Sequence, residues 1–171
     1  MADVEYQIIS WEQIKKVWET KLWPGRKSAI EPISAIQYAD NGSAPVIDMT
    51  ILEIDQKPHF VGGFDGDKLI AVNSGFKTGP NLYRSRGLYI DPEYRGRGIA
   101  AVLLREMAIE ALFLDIRTLW SMPRQSAFKA YERLGFIQTS EWMDKGVEFG
   151  PNCYAALDVH NNQWIRSILP Q

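Results

Sequence analysis

Four arginines, Arg84, Arg86, Arg95 and Arg97, fall within fourteen residues, and Arg105 follows them. Gly96 and Gly98 interleave with the second pair, inside the stretch Gly87–Ala101 (GLYIDPEYRGRGIAA). A strand ending at Ile90, a short loop and a glycine-containing turn that opens a helix account for this pattern. The first N–H groups of a helix lack intrahelical partners and lie at the positive end of its dipole. With no Cβ at Gly96 or Gly98, a pyrophosphate could rest directly on those amides. Arg95 and Arg97 could add charge-assisted hydrogen bonds. On spacing alone, a solvated basic face and a pair of glycines that merely shape a turn are the competing readings.

The chemistry of the anion can be narrowed. A phosphate-binding loop of the Gly-x-x-x-x-Gly-Lys-Ser/Thr type is absent from the sequence. Gly96–Ala101 does fit Gly-x-Gly-x-x-Ala, with Asp115 about twenty residues on, but the context of a dinucleotide fold fails. Asp91–Arg95 separates the glycines from the strand, Asp115 precedes the next strand instead of closing it, and the preceding strands read as hairpins. Nicotinamide and flavin cofactors are set aside. Nineteen basic against 21 acidic residues give a net charge of −2, and a nucleic-acid binder would carry a basic excess. A local arginine cluster in an acidic chain suits a small anionic ligand better than a polyanion.

The run Leu88–Ala100 closely resembles the acetyl-CoA signature of the GNAT superfamily of N-acetyltransferases, Arg/Gln-x-x-Gly-x-Gly/Ala, matched by Arg95, Gly98 and Ala100. A second block, Ala127–Phe136 with Tyr131 and Gly135, resembles the family's Ala-x-x-x-Tyr-x-x-x-Gly-Phe segment. The resemblance runs from His59 to Val159 and implies a cleft where two parallel strands, ending at Ile90 and Met122, splay apart. It implies that acetyl-CoA is the acyl donor and an amine the acceptor. Main-chain groups of Leu88, Tyr89 and Ile90 would hold the pantetheine and thioester, and Arg95, Gly96, Arg97, Gly98, Ile99 and Ala100 the pyrophosphate. An N–H aimed at a developing oxyanion is the usual electrostatic device of acyl transfer. Tyr131 falls on the family's tyrosine, whose phenol could protonate the departing thiolate; by itself it reads equally as a core tyrosine with a polar partner.

Two positions depart from the family pattern. Arg124 stands where an asparagine is common and could reach a CoA phosphate. Arg86-Gly87 stands where many members carry a glutamate base, so another base or a water chain is required; Glu31, Glu53, Asp55 and His59 are candidates, each also an ordinary surface or capping residue. Cys153 and His160 have no spacing partner and are read as structural. The resemblance leaves three functional readings open: acetyl transfer to a small-molecule amine, acetyl transfer to a protein N-terminus or lysine, and a CoA-binding domain without turnover. No metal is expected.

Positioning these residues requires the elements around them. Glu5–Ile9 alternates as a strand, and Ser10 with Gln13 forms a capping box that starts a helix with a buried stripe of Ile14, Trp18 and Leu22. Trp23-Pro24-Gly25 ends it. A second helix is expected around Pro32–Tyr38. His59–Phe64, the turn Asp65-Gly66-Asp67 and Leu69–Lys77 read as a hairpin, followed by a strand over Leu82–Ile90. Gly98–Leu114 reads as a helix; Val102, Ile109 and Phe113 make even its second face partly apolar, so a well-buried helix is expected. Arg117–Met122 is a strand, Arg124–Leu134 a helix ended by Gly135, and Phe136–Trp142 and Cys153–Val159 are strands. The order β-α-α-β-β-β-α-β-α-β-β implies an α+β fold, a mixed and mostly antiparallel central sheet with helices on both faces.

At 171 residues, 46% hydrophobic and 23% charged, the chain matches one globular domain over 1–171, with 160–171 as a C-terminal extension. The single cysteine excludes an internal disulfide and a multi-cysteine zinc site. The longest stretch without Asp, Glu, Lys or Arg is the nine residues Phe149–Leu157, short of the ~20 that span a membrane. With an acidic start, Met-Ala-Asp-Val-Glu, a cytoplasmic protein is expected. Six tryptophans and the tail Trp164–Leu169 hint at a surface that could pair two copies into a homodimer.

Overall fold

The computed structural model describes residues 3–54 and 57–168. The elements are β1 (Glu5–Ile8), α1 (Trp11–Val17) running into a π-helical turn Trp18–Leu22, β2 (Ile36–Gln37), β3 (Val46–Ile47), β4 (His59–Asp65), β5 (Lys68–Gly79), β6 (Leu82–Ile90), α2 (Ile99–Phe113), β7 (Thr118–Ser121), α3 (Phe128–Arg133), β8 (Ile137–Gln138), β9 (Ala155–Asp158) and α4 (Gln163–Ile168). Seven strands form one sheet in the order β1-β4-β5-β6-β7-β9-β8. Every pairing in it is antiparallel except β6 with β7.

Alternation along β4 and β5 divides the core in two. Val61, Ile70 and Ala71 pack with Leu103, Leu104, Met107 and Ala111 of α2 and with Tyr131 of α3. Phe60 and Val72, one residue out of phase, pack with Ile9, Ile14, Val17 and Trp18. Helix α1 therefore covers one face of the sheet and α2 with α3 the other.

The entry to α1 follows from local chemistry. Ser10 Oγ accepts from the Gln13 N–H at 3.1 Å, and Gln13 Oε1 accepts from the Ser10 N–H at 2.9 Å. Each side chain satisfies a backbone donor the helix leaves unpaired. Ser10→Ala is expected to lower stability by about 1 kcal/mol, read as a lower melting temperature with unchanged circular dichroism at room temperature. The helix then widens: the Trp23 N–H donates to the Trp18 carbonyl five residues back, at 2.7 Å.

Several expectations need correction. Pro32–Tyr38 is not helical; Ile36–Gln37 pairs antiparallel with Val46–Ile47, and the Ala35 carbonyl accepts from the Asp48 N–H at 2.8 Å. A contact ten residues away in sequence overrides local propensity. Helix α3 begins at Phe128, four residues later than expected, and β8 spans only two residues. Phe113 is 84% exposed and Ile109 39%, so the second face of α2 meets solvent. The tail is used within the chain: Ile165 is fully buried and Trp164 packs against the α2-side core. That removes Ile165 from any pairing surface; Leu169 lies outside the described residues.

Candidate active site

The site is built by a parting of strands. β6 and β7 pair only at Leu82–Thr118, Tyr83–Leu119 and Arg84–Trp120. Beyond Arg84 the Ser121 hydroxyl still donates to the Ser85 carbonyl at 2.9 Å, and after that β6 runs on to Ile90 with β5 as its strand partner. The β5–β6 register shifts opposite Val72–Ser74, and Gly87 takes φ +77° there. This bulge is held from the α1 side, where Trp18 Nε1 donates to the Gly87 carbonyl at 2.9 Å. A bulge re-aims the strand locally, and here it lies just before Leu88, Tyr89 and Ile90. Leu88 and Ile90 pack toward the α2 core and Tyr89 toward the α1 core.

At the open end of β6 the chain passes through a 3-10 turn, Pro92–Tyr94, into the glycine turn. Gly96 and Gly98 both have left-handed backbone, φ +77° and +80°, and a Cβ at either would meet nothing within 4 Å. Open space in front of the head of a fifteen-residue helix is the geometry the anion reading requires. Ile99 is buried and Ala100 half-buried behind it. Arg95 and Arg97 are exposed on the turn. Arg95 Nε donates to the Ile90 carbonyl at 2.9 Å, and the two guanidiniums lie over Tyr89 and Tyr94 at 5.8 and 5.2 Å from the ring centres. These residues fit a pyrophosphate.

The arginine cluster, continuous in sequence, is two groups in space. Arg84 and Arg86 are only 6% and 5% exposed, which rules out a solvated face for them. Arg84 lies over Trp120 at 4.7 Å, and Arg86 over Trp18 and Trp23 at 4.9 and 5.2 Å. Burial pushes the Arg84 guanidinium down to about 10, and burial together with Arg84 and Arg26 holds Arg86 well below its usual range. Sequence spacing grouped Arg84 and Arg86 with the glycine turn; only strand alternation and the sheet's cover show that they belong elsewhere.

Tyr131 is buried on α3, its ring edge-on to Phe136 at 5.2 Å between centres. Burial pushes its phenol up to about 12, while the Ser121 hydroxyl and the Arg84 charge pull the other way. Ser121 ends β7, just past the last residues that β6 and β7 pair. At neutral pH the Tyr131 phenol is protonated. Ala127, four residues before Tyr131, is exposed and serves as the cap residue of α3.

Arg124 is not directed at the glycine turn. Its Nη2 donates to the Leu22 carbonyl at 2.6 Å and its guanidinium lies over Phe149 at 5.3 Å. It lines a surface depression with Ser126, Glu148, Phe149 and Pro151. Glu148 ties that wall to the loop after α1: its carboxylate accepts from the N–H groups of Lys27 and Ser28, at 2.7 and 3.0 Å, and from the Ser28 hydroxyl. Chiefly through that hydroxyl its carboxyl is drawn down to about 2.

Of the base candidates among the described residues only Glu31 comes near the parting, where its carbonyl accepts from Arg86 Nη1 and its charge bears on that guanidinium. Glu31 and Glu53 are exposed, His59 is half-buried opposite Gly75 on β5, and Asp55 lies outside the described residues. Among the described residues, no group of three or more His, Cys, Asp or Glu side chains is placed to hold a metal, and no helix is long and apolar enough to cross a membrane.

A model of the acetyltransferase (GNAT) family matches residues 18–136. Solved structures share the fold over nearly the whole chain. FeeM, an N-acyl amino acid synthase from uncultured soil microbes, superposes with a TM-score of 0.63 at 16% identity, covering 99% of this chain and 100% of its own. SpeG, a spermidine N-acetyltransferase from Vibrio cholerae, gives 0.58 at 13%, covering 91% and 94%. YncA from Salmonella typhimurium, solved with its cofactor acetyl-CoA, gives 0.61 at 12%, covering 92% and 95%. At these identities the likeness is one of fold. No curated protein matches the sequence.

Proposed function

Since the chain belongs to the acetyltransferase (GNAT) family, and is on that ground an acyltransferase, we propose that it transfers an acetyl group from acetyl-CoA to a primary amine by direct attack. The observation that carries this reading is the parting of β6 and β7 after Arg84 and Trp120, with an open glycine turn at its mouth and a buried phenol at its floor. The amides around Gly96–Ala100 and the side chains of Arg95 and Arg97 would take the pyrophosphate, and the main chain of Leu88–Ile90 the pantetheine. Bound acetyl-CoA supplies an activated thioester carbonyl.

The protein's own part is to orient and to handle protons. The bulge at Gly87 aims the strand that borders the thioester, and Tyr131 presents a protonated hydroxyl to the sulfur that leaves. No carboxylate stands at the family's glutamate position; Arg86 does. The guanidiniums of Arg84, Arg86 and Arg26 disfavour a further positive charge nearby, so an amine entering there loses its proton more readily. Deprotonation then proceeds to solvent, without a dedicated side-chain base.

Calorimetry with acetyl-CoA and release of free CoA across an amine panel, followed with a thiol reagent, test the proposal. Binding without release for every amine would favour a cofactor-binding domain that does not turn over. Direct attack leaves no role for an enzyme nucleophile. Cys153 is fully buried and burial pushes its thiol up to about 11, so the reactive thiolate is scarce at neutral pH. Cys153→Ala is expected to keep the kcat of the parent within about twofold; a loss beyond tenfold with the fold intact would point to a covalent route.

A further inference from the structure

Two arginines are buried side by side on the α1 face of the sheet, where β6 and β7 part, and no carboxylate within the chain forms an ion pair with either among the described residues. Arg86 is partly satisfied, donating through Nη1 to the Glu31 carbonyl at 2.9 Å. Arg84 is not. Its Nε and Nη1 are buried without any hydrogen-bond partner. A third nitrogen of this kind, Arg105 Nε, belongs to a half-buried residue of α2.

Leaving a guanidinium dry and unpaired is strongly unfavourable, and arginine does not escape by losing its proton under ordinary conditions. The surroundings of Arg84 supply stacking and no paired carboxylate: Trp120 lies under it, and Tyr38 and Tyr154 close on Trp120 at 5.4 and 5.9 Å between ring centres. Arg26 adds a further positive charge to both, and Glu31 offsets it only at Arg86. An aromatic box around a buried guanidinium with two unpartnered nitrogens is built for an anion that comes from outside. A planar carboxylate matches a guanidinium fork in two parallel hydrogen bonds, through Nε with Nη2 or through Nη1 with Nη2.

We infer that the amine acceptor carries a carboxylate, and that Arg84, with Arg86 beside it, holds that group so that the amine faces the parting of β6 and β7. This rests on the acetyl-transfer reading above for the word acceptor. An α-amino acid or a related amino carboxylate has the required chemistry. A polyamine or a simple alkyl amine brings only more positive charge into a site that already lacks an anion.

The test uses the intact chain and a panel of the common α-amino acids, the aromatic and aliphatic ones each paired with its decarboxylated amine. In a thermal-shift titration at least one amino acid should raise the melting temperature of the parent, and its decarboxylated partner should not. Arg84→Gln should itself raise the melting temperature of the free protein, because an uncompensated buried charge is removed, and should weaken the effective amino acid roughly 10–100-fold. Arg84→Lys should keep the cost in the free protein and lose most of the binding, since a point charge cannot make the paired contact. Equal or greater stabilisation by the decarboxylated amines would overturn the proposal. So would a panel without any stabilising carboxylate, or a free Arg84→Gln protein less stable than the parent. Acetyl-CoA calorimetry on the same proteins reports on the parent reading separately. Normal acetyl-CoA binding with no carboxylate preference sinks the carboxylate site alone, whereas failure to bind acetyl-CoA removes the acceptor role whatever the amino acids do.

Discussion

Tyr131→Phe is expected to lower kcat by roughly 10²–10⁴-fold, the range of general acid catalysis, with acetyl-CoA affinity little changed. The substitution deletes one hydroxyl and keeps the ring that packs edge-on against Phe136, so the core survives. With its phenol pushed up to about 12 by burial, Tyr131 is fully protonated at neutral pH. A free thiol ionises near ~8.5, which in water would leave the proton on the phenol. In the site the departing thiolate is desolvated too, and burial raises its basicity for the reason it raises that of the phenol. On the proposed reading, Tyr131 would first donate a hydrogen bond to the growing charge and then release the proton as the amide forms. Unchanged kcat, where chemistry limits the rate, would remove it from the mechanism. Loss of both cofactor binding and the folded signal would assign it to the core.

Gly98→Val should reduce acetyl-CoA affinity by roughly 10²–10⁴-fold, the equivalent of losing two or so hydrogen bonds to a charged group. Two effects act together. The branched side chain would fill space that is open within 4 Å, and valine resists the left-handed backbone that Gly98 adopts at φ +80°. Strain alone would also lower stability, so a control is needed. Gly66, in the β4–β5 hairpin, has φ +57° and equally open surroundings but no anion to meet. Gly66→Val should lose comparable stability and keep acetyl-CoA affinity. If Gly98→Val bound acetyl-CoA like the parent in calorimetry, the pyrophosphate would have to lie elsewhere.

What the sequence made legible was local. The Ser10–Gln13 box, the Asp65-Gly66 turn and the glycines before α2 each depend on a few adjacent residues, and each stands where the spacing put it. Pro32–Tyr38 failed because its strand pairs with Val46–Ile47, a partner no local pattern announces. The arginines failed for a related reason. Charge density along the chain counted four together, but Arg84 and Arg86 lie within a strand covered by aromatic rings, while Arg95 and Arg97 stand on an exposed turn. Arg124 shows the same limit: its neighbours Leu22 and Phe149 are about a hundred and about twenty-five residues away in sequence. Motif position put Tyr131 on a helix, where α3 stands, but the depth of its burial came from α3 settling on the α2-side core.

The bulge at Gly87 carries a consequence for descent. A Cβ at that position would come within 2.4 Å of the Trp18 ring, the ring whose N–H fastens the bulge. Neither residue can change freely while the other stays. Relatives that keep a large aromatic at the position of Trp18 should keep glycine at that of Gly87, and lineages that acquire a side chain at the second should first have shrunk or lost the first. The two sites, 69 positions apart in the chain, should be inherited as a pair.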